Sequence, residues 1–528
     1  MFTHPAHHLL RTSFPLLLLA PAPSLVAQSS DWLTYNGSYE GSRFSELAQI
    51  TAANAAELGE VCTFDTGEQM SSQSGPVVVD GVLYLTTDTS TYAIDAATCA
   101  LKWRQSRSYS PLSTLKNNHG VAYMDGRLYR VAGNVHAYSL DAATGEVLWD
   151  VAFGDPTKGE SAPMAPVAWD GLVFLGNAGG DVIGVTGRVY ALDAASGREV
   201  WHFDVVPDSG AARQTWPSGP DAVPPTGGGM WSTFTLDPAR GVLYVPAGNP
   251  APDFILELRP GKNLYTNSVL ALDARTGRLL DYIQTVEDDY HDWDVSAAPA
   301  LITTESGTVM LALAGKDGLL HAITGAPDDF AVQYSVPTTT RSNIDAPLTH
   351  TQATRFCPGT QGGTEWNGPA YSPPLNLLFA GAVDWCANIQ LVHPDSITLP
   401  LAQDFTGAVG GGFGNFDPKE QWQGWITAVD ADSGSVRWKY RADTPILAGI
   451  TATAGGIVVT GDMNGDLLVF DAATGELVHR AETGAAMGAG NVTYAVDDQQ
   501  YIAAAGGSIS PIWPLPEATS RVTVFGLR

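Results

Sequence analysis

Five short stretches of this chain carry side chains that could do chemistry as well as fill a core. The run Asp288-Asp289-Tyr-His291-Asp292-Trp293-Asp294-Val-Ser296 is dense in carboxylates. Acid runs are usually solvated faces, and Asp288 and Asp289 are read that way. Asp294 differs, because an indole precedes it and the apolar stretch Ala297 to Ile302 follows. That is an odd setting for a merely solvated acid. Ala314-Gly-Lys316-Asp317-Gly318 ends an apolar run with a lone cation. Lys316 is either a hairpin-tip lysine or a charge aimed at a site. Gly227-Gly-Gly-Met-Trp231-Ser-Thr-Phe supplies an indole that either packs a core or covers a planar ring. Leu243-Tyr-Val-Pro-Ala-Gly-Asn249-Pro-Ala-Pro reads as a turn, or as a loop offering an amide oxygen to a hard cation. Asp181, after Gly179-Gly180, is a plain turn acid or a second such donor.

The elements that must position these residues follow from self-comparison. A short apolar strand, Asp-x-x-Thr/Ser-Gly, and a strand usually ending in tryptophan recur along the chain. Copies begin at Asp95 (where Cys99 replaces glycine), Asp141, Asp193, Asp273, Asp430 and Asp471, with a worn copy at His321 to Gly325. Asp caps the turn, Thr or Ser adds an acceptor, and Gly supplies positive φ. Trp103, Trp149, Trp201 and Trp438 can fill the wedge between neighbouring sheets. A four-stranded unit at this period predicts an all-β propeller. The long gap between Gly325 and Asp430 predicts a blade without its motif near Ala370 to Leu391. With that blade, and terminal strands closing a shared last one, the expected count is eight, seven being the alternative.

Composition narrows the class. The 528 residues hold 55 acids against 27 Lys and Arg, a net charge of -28 that disfavours a nucleic-acid partner. An apolar, proline-broken stretch from Phe14 to Val26 ends in small residues, which predicts a cleaved signal over residues 1–27 and an exported chain from Gln28. One domain is expected over 28–528, with no membrane span. Four cysteines fit an oxidising compartment. Of the three connectivities they allow, their separations favour Cys62 with Cys99 and Cys357 with Cys386. No Cys-x-x-Cys-His occurs, so this sequence has no covalent c-type haem site.

The Asp-x-x-Thr-Gly-x-x-x-Trp phrase resembles the tryptophan-docking repeat of pyrroloquinoline quinone (PQQ)-dependent alcohol dehydrogenases, over essentially the whole mature chain. Non-catalytic propellers of the outer-membrane assembly type use a similar repeat, so the site motifs discriminate. By the resemblance, Trp231 is the floor under the quinone, and Asn249 and Asp181 are metal ligands. Asp294 is the catalytic base and also meets the metal, and Lys316 is the cation at the reactive quinone oxygens. Relatives have glutamate at the Asp181 position, and their lanthanide-using members carry a further Asp where this chain has Ser296. The resemblance therefore implies Ca2+ beside PQQ, an alcohol substrate, a periplasmic location and a separate cytochrome c as electron acceptor. A sugar dehydrogenase on the same scaffold is the other enzymatic reading.

The chain also departs from the family. Many relatives have adjacent cysteines over the quinone, but the matching stretch Ser113-Thr114-Leu-Lys-Asn-Asn118-His119 has none. His119 stands where they have arginine, and Gln73 where a glutamate often contacts the cofactor. These changes suggest a divergent branch, with a secondary or polymeric alcohol such as polyvinyl alcohol as substrate.

Overall fold

The computed structural model describes residues 1–2, 30–109, 116–219 and 222–528. The expected signal falls almost wholly outside the described residues, as do Ser113 and Thr114. Val77–Val79, Val82–Thr86, Ser90–Asp95 and Leu101–Ser106 pair in that order as an antiparallel sheet, blade one. Blades two to eight open at Ala122–Met124, Val167–Trp169, Thr235–Asp237, Ala300–Thr303, Ala370–Ser372, Thr451–Thr453 and Asn491–Val496. Eight sheets of four or five strands are consistent with the expected blade count. In the last, the early strand Leu58–Asp65 lies antiparallel to Arg521–Leu527, from Leu58 opposite Leu527 to Asp65 opposite Arg521. Both disulfides pair as read, Cys62 with Cys99 and Cys357 with Cys386. The first ties the closing strand of blade eight to the turn of blade one.

The recurring phrase does two jobs. Asp95 accepts the Thr98 N–H at 3.1 Å and the Thr98 hydroxyl at 2.9 Å, which closes the turn between strands three and four. The tryptophan then reaches the next blade. Trp103 donates to the Ala142 carbonyl at 3.0 Å, Trp149 to Ala194 at 3.0 Å, Trp201 to Ala274 at 3.1 Å and Trp438 to Ala472 at 2.9 Å. Each acceptor follows the next blade's motif aspartate. Tyr334 and Tyr494 make the same reach, to Ala431 and Ala96. A Cβ on Gly145 would lie 2.6 Å from the Trp103 ring, so glycine there permits the close stack as well as the positive φ.

The inner rim is stitched separately, by the segments that lead into each first strand. Gly490 donates to Ser74, Gly75 to His119, His119 to Pro163 and Ala165 to Ser232, at 2.7–3.1 Å. Thr235 continues to Pro299, Ser296 to Thr364, Asn367 to Leu447, and Gly449 to Ala489, which completes the ring.

One expectation is corrected. Ala370 to Leu391 is not a blade without a motif. Ala370–Ser372 and Leu377–Asp384 are the first half of blade six, whose second half is Gln423–Asp430 and Val436–Ala442. The gap is made of two insertions, one ahead of blade six's first strand and a longer one between its second and third strands, which meet in a small sheet of Thr354–Phe356, Ala387–Ile389 and Asn415–Phe416. The blade lacking the motif is the eighth, where Asp497-Asp498 makes the turn after its first strand.

Candidate active site

Antiparallel pairing decides where the singled-out residues go. The start of a blade's first strand and the end of its second lie at the same edge. Gln73, His119, Trp231 and Asp294 precede the first strands of blades one, two, four and five. Asp181, Asn249 and Lys316 follow the second strands of blades three, four and five. All seven therefore share one face, and the Asp-x-x-Thr-Gly turns occupy the opposite one.

Asp294 is buried, and both oxygens are engaged. Oδ1 accepts the Asn249 backbone N–H at 2.9 Å, and Oδ2 accepts from Lys316 Nζ at 3.0 Å. The approach needs Gly248, since a Cβ there would lie 2.6 Å from Asp294 Oδ1. Lys316 Nζ also donates to Asp292 at 3.0 Å. Burial opposes the ammonium charge, but Asp292, Asp294 and Glu365 outweigh it and hold the Lys316 pKa well above its ordinary value.

The oxygens of Asp181, Asp253 and Asp292 that could face an ion lie within 4.8 Å of one another. Asp253 accepts from Asn249 Nδ2 at 3.1 Å, which brings Asn249 to the same cluster. Burial, then the neighbouring Asp181 and Asp292 charges, push the Asp253 carboxyl well up. Asp292 is raised by burial despite Lys316 beside it. Asp181 is pushed up to about 7, by burial first and then by Asp294. These are carboxylates short of positive charge.

An aromatic chamber adjoins them. His119 is fully buried, with its ring 6.1 Å from Trp231, 5.9 Å from Trp366 and 6.0 Å from Tyr35. Neither of its ring nitrogens has a hydrogen-bond partner among the described residues. Burial lowers its pKa to about 3, so the ring is neutral. Trp231 and Trp366 meet edge to face at 6.3 Å. Glu365, next to Trp366, is 5% exposed and leaves Oε1 unpaired, and burial pushes its pKa up to about 7. Gln73 lies on the same rim, but its side chain is already bonded to Asn117 at 2.6 Å and to the Ile509 carbonyl at 3.2 Å.

The structure thus gathers Asp181, Asn249, Asp294 and Lys316 around one buried charge cluster and sets Trp231 beside His119. Sequence reasoning missed Asp253, Asp292 and Glu365. Asp292 stood in the motif already singled out, and Asp253 was hidden in a Pro-rich turn. One reading is corrected: Asp289 is not solvated like Asp288 but 2% exposed. Its carboxylate accepts the N–H groups of His291 at 2.9 Å and Trp293 at 3.1 Å, and Asn267 Nδ2 at 3.1 Å, so it shapes the loop that carries Asp292 and Asp294.

Residues 32–341, more than half of the chain, match the family described as glucose/ethanol/alcohol dehydrogenase, beta-propeller domain. Residues 423–524 match outer membrane protein assembly factor BamB, a likeness confined to the late repeats. The chain is 28% identical to the quinohemoprotein alcohol dehydrogenase of Comamonas testosteroni, over 91% of this chain and 73% of that one. It is 28% identical to a quinoprotein alcohol dehydrogenase of Pseudomonas putida, over 92% of this chain and 88% of the relative. The solved Comamonas structure superposes with a TM-score of 0.83 at 26% identity, covering 96% of this chain and 81% of that one. A family match over most of the inner rim, relatives along nearly the full length and a shared propeller make this chain a member of the PQQ-dependent alcohol dehydrogenases, an oxidoreductase family.

Proposed function

We propose that the chain oxidises an alcohol in the periplasm, with Asp294 as base, and passes electrons to a separate cytochrome c. The observation that carries this reading is the Asp294 carboxylate, fixed between the Asn249 N–H and the Lys316 ammonium at 2.9 and 3.0 Å. A propeller serving only as scaffold has no use for so many buried charges, which are costly to desolvate.

The residues present fit the family's groups. Asp253 Oδ2 and both His119 nitrogens are buried and unpaired among the described residues, which suits an oxygen-seeking cation and a polar ring system respectively. When bound, PQQ supplies the hydride acceptor and the cation polarises its carbonyl. Asp294 takes the hydroxyl proton of the alcohol, oriented by its two donors. Lys316 keeps a permanent positive charge beside that base, where negative charge develops. Trp231 and Trp366 wall off water, and a neutral His119 can donate one N–H to a carboxylate of the quinone. Asp181, Asn249 and Asp294 are the ligands that the sequence match assigns to the ion, and such a set suits calcium.

Two disulfides support an oxidising compartment, and no helix among the described residues is long and apolar enough to cross a membrane. The mature chain from Gln28 would then be one PQQ-binding domain. The absence of adjacent cysteines favours a secondary or polymeric alcohol as substrate. The test is dye reduction by protein loaded with PQQ and metal, over primary, secondary and polymeric alcohols and sugars. Asp294→Asn should lose about 10²–10⁴-fold in turnover while PQQ stays bound. Undiminished turnover would remove Asp294 from the role, and no response to any substrate would overturn the reading.

A further inference from the structure

His119 is a buried polar side chain whose hydrogen bonds the fold does not supply. Its backbone is fixed between the lead-ins of two neighbouring blades. The N–H donates to the Pro163 carbonyl at 2.7 Å, and the carbonyl accepts from Gly75 at 2.8 Å. The ring is fully buried, yet neither nitrogen has a partner among the described residues. Two of the rings around it have given their own donors away. The Tyr35 hydroxyl goes to Asn367 Oδ1 at 2.9 Å, and Trp366 Nε1 goes to the Gly488 carbonyl at 2.6 Å. A polar group buried in this way calls for a partner from outside the chain.

The charges near the ring decide what that partner does to it. Burial, and no neighbouring charge, keeps the imidazole neutral with a pKa lowered to about 3. Burial also pushes the Tyr35 phenol up, so it carries no charge. Behind Tyr35, Arg43 is spent on the carbonyls of Tyr35, Ile450 and Asn491 and on Asn36 Oδ1. Glu365, beside Trp366, keeps its proton up to about pH 7. Lys316 is committed to Asp292 and Asp294, and Lys116, on the segment of His119, is exposed. Among the described residues, the chamber thus offers an entering anion no free cation.

We infer that His119 takes up a proton from solvent as the cofactor's carboxylates enter, so that loading creates an imidazolium–carboxylate pair in a chamber otherwise short of positive charge. The inference rests on the quinoprotein reading, since PQQ is a tricarboxylate. A neutral imidazole has one N–H and one lone pair, and the lone pair repels a carboxylate. A second N–H removes that conflict. One carboxylate about 4 Å away, where little water remains, raises the proton affinity of the ring by about a thousandfold. A second adds a similar factor, which carries His119 from unprotonated to protonated near neutral pH. The proton is bound in the loaded state alone, so loading strengthens as pH falls.

Full-length protein, saturated beforehand with Ca2+, is titrated calorimetrically with PQQ at pH 6, in buffers of small and large ionisation enthalpy. Glu365 already largely holds its proton at that pH, so a proton gained on binding belongs to His119. About one proton per PQQ is expected, and Kd read from quinone absorbance should rise roughly tenfold per pH unit between pH 5 and 6.5. His119→Arg, permanently charged, should bind without uptake and with Kd flat over that range. His119→Gln keeps a donor and an acceptor but cannot gain a proton. It should bind roughly 10- to 100-fold more weakly, also without uptake. PQQ bound with no proton gained, or a full proton still gained by folded His119→Gln, would overturn the inference and leave the proposed function standing. No PQQ bound by the wild type would overturn both.

Discussion

Replacing Glu365 with Gln removes one buried charge and almost nothing else, which makes its energetic consequence calculable. The carboxyl is 5% exposed, one oxygen is unpaired, and its pKa is pushed from 4.5 to about 7, by burial first, with Lys316 opposing and Asp294 adding. The folded protein thus holds that proton to higher pH than the unfolded chain does. Stability from this group is full below about pH 4.5 and declines as pH rises to about 7. A shift of this size corresponds to about 3 kcal/mol lost by pH 8. Glu365→Gln escapes the loss, so the metal-free variant should match the wild type near pH 4 and exceed it by about 3 kcal/mol at pH 8. Unfolding about 500 residues carries an entropy near 1 kcal/mol per kelvin, so Tm should rise by about 3 °C at pH 8. Calorimetry of both proteins at the two pH values checks this. An equal or smaller gain at pH 8 than at pH 4 would show that Glu365 is not a desolvated acid in this chamber.

Other outcomes follow from the scaffold. Trp201→Ala removes an indole that is 8% exposed and bonded to the Ala274 carbonyl of the next blade. It should cost about 3–5 kcal/mol in chemical denaturation, with KM for the alcohol unchanged in the folded fraction. Cys62→Ser with Cys99→Ser opens a link across 37 residues that fastens the closing strand to blade one. The loss should be about 4 kcal/mol, read in the same assay, and a negligible change would mean that strand pairing alone closes the ring.

The repeat, the strand pattern and the short motifs that hold much of the candidate site were legible in the sequence because they are local. A cap, a hydroxyl, a glycine and an indole at fixed spacing produce the same turn wherever they occur. Even the closing strand could be foreseen, since a ring of sheets must finish with its own ends. The misplaced blade had a local cause as well. A long excursion between two strands of blade six has the length of a repeat unit but not its pairing, and spacing cannot tell the two apart.

Burial and proximity belonged to the tertiary structure. Asp253, Asp289, Asp292 and Glu365 look in sequence like any acid of a turn or a surface run. They become a desolvated cluster only when antiparallel blades bring the ends of second strands and the lead-ins of first strands to one inner rim. Carboxylate energetics depend on which other charges lie within a few ångströms and on how much water remains between them. Loops from blades three, four, five and six set those quantities jointly. The residue types were written locally, but the charge balance that suits them to a metal arises only from the closed ring.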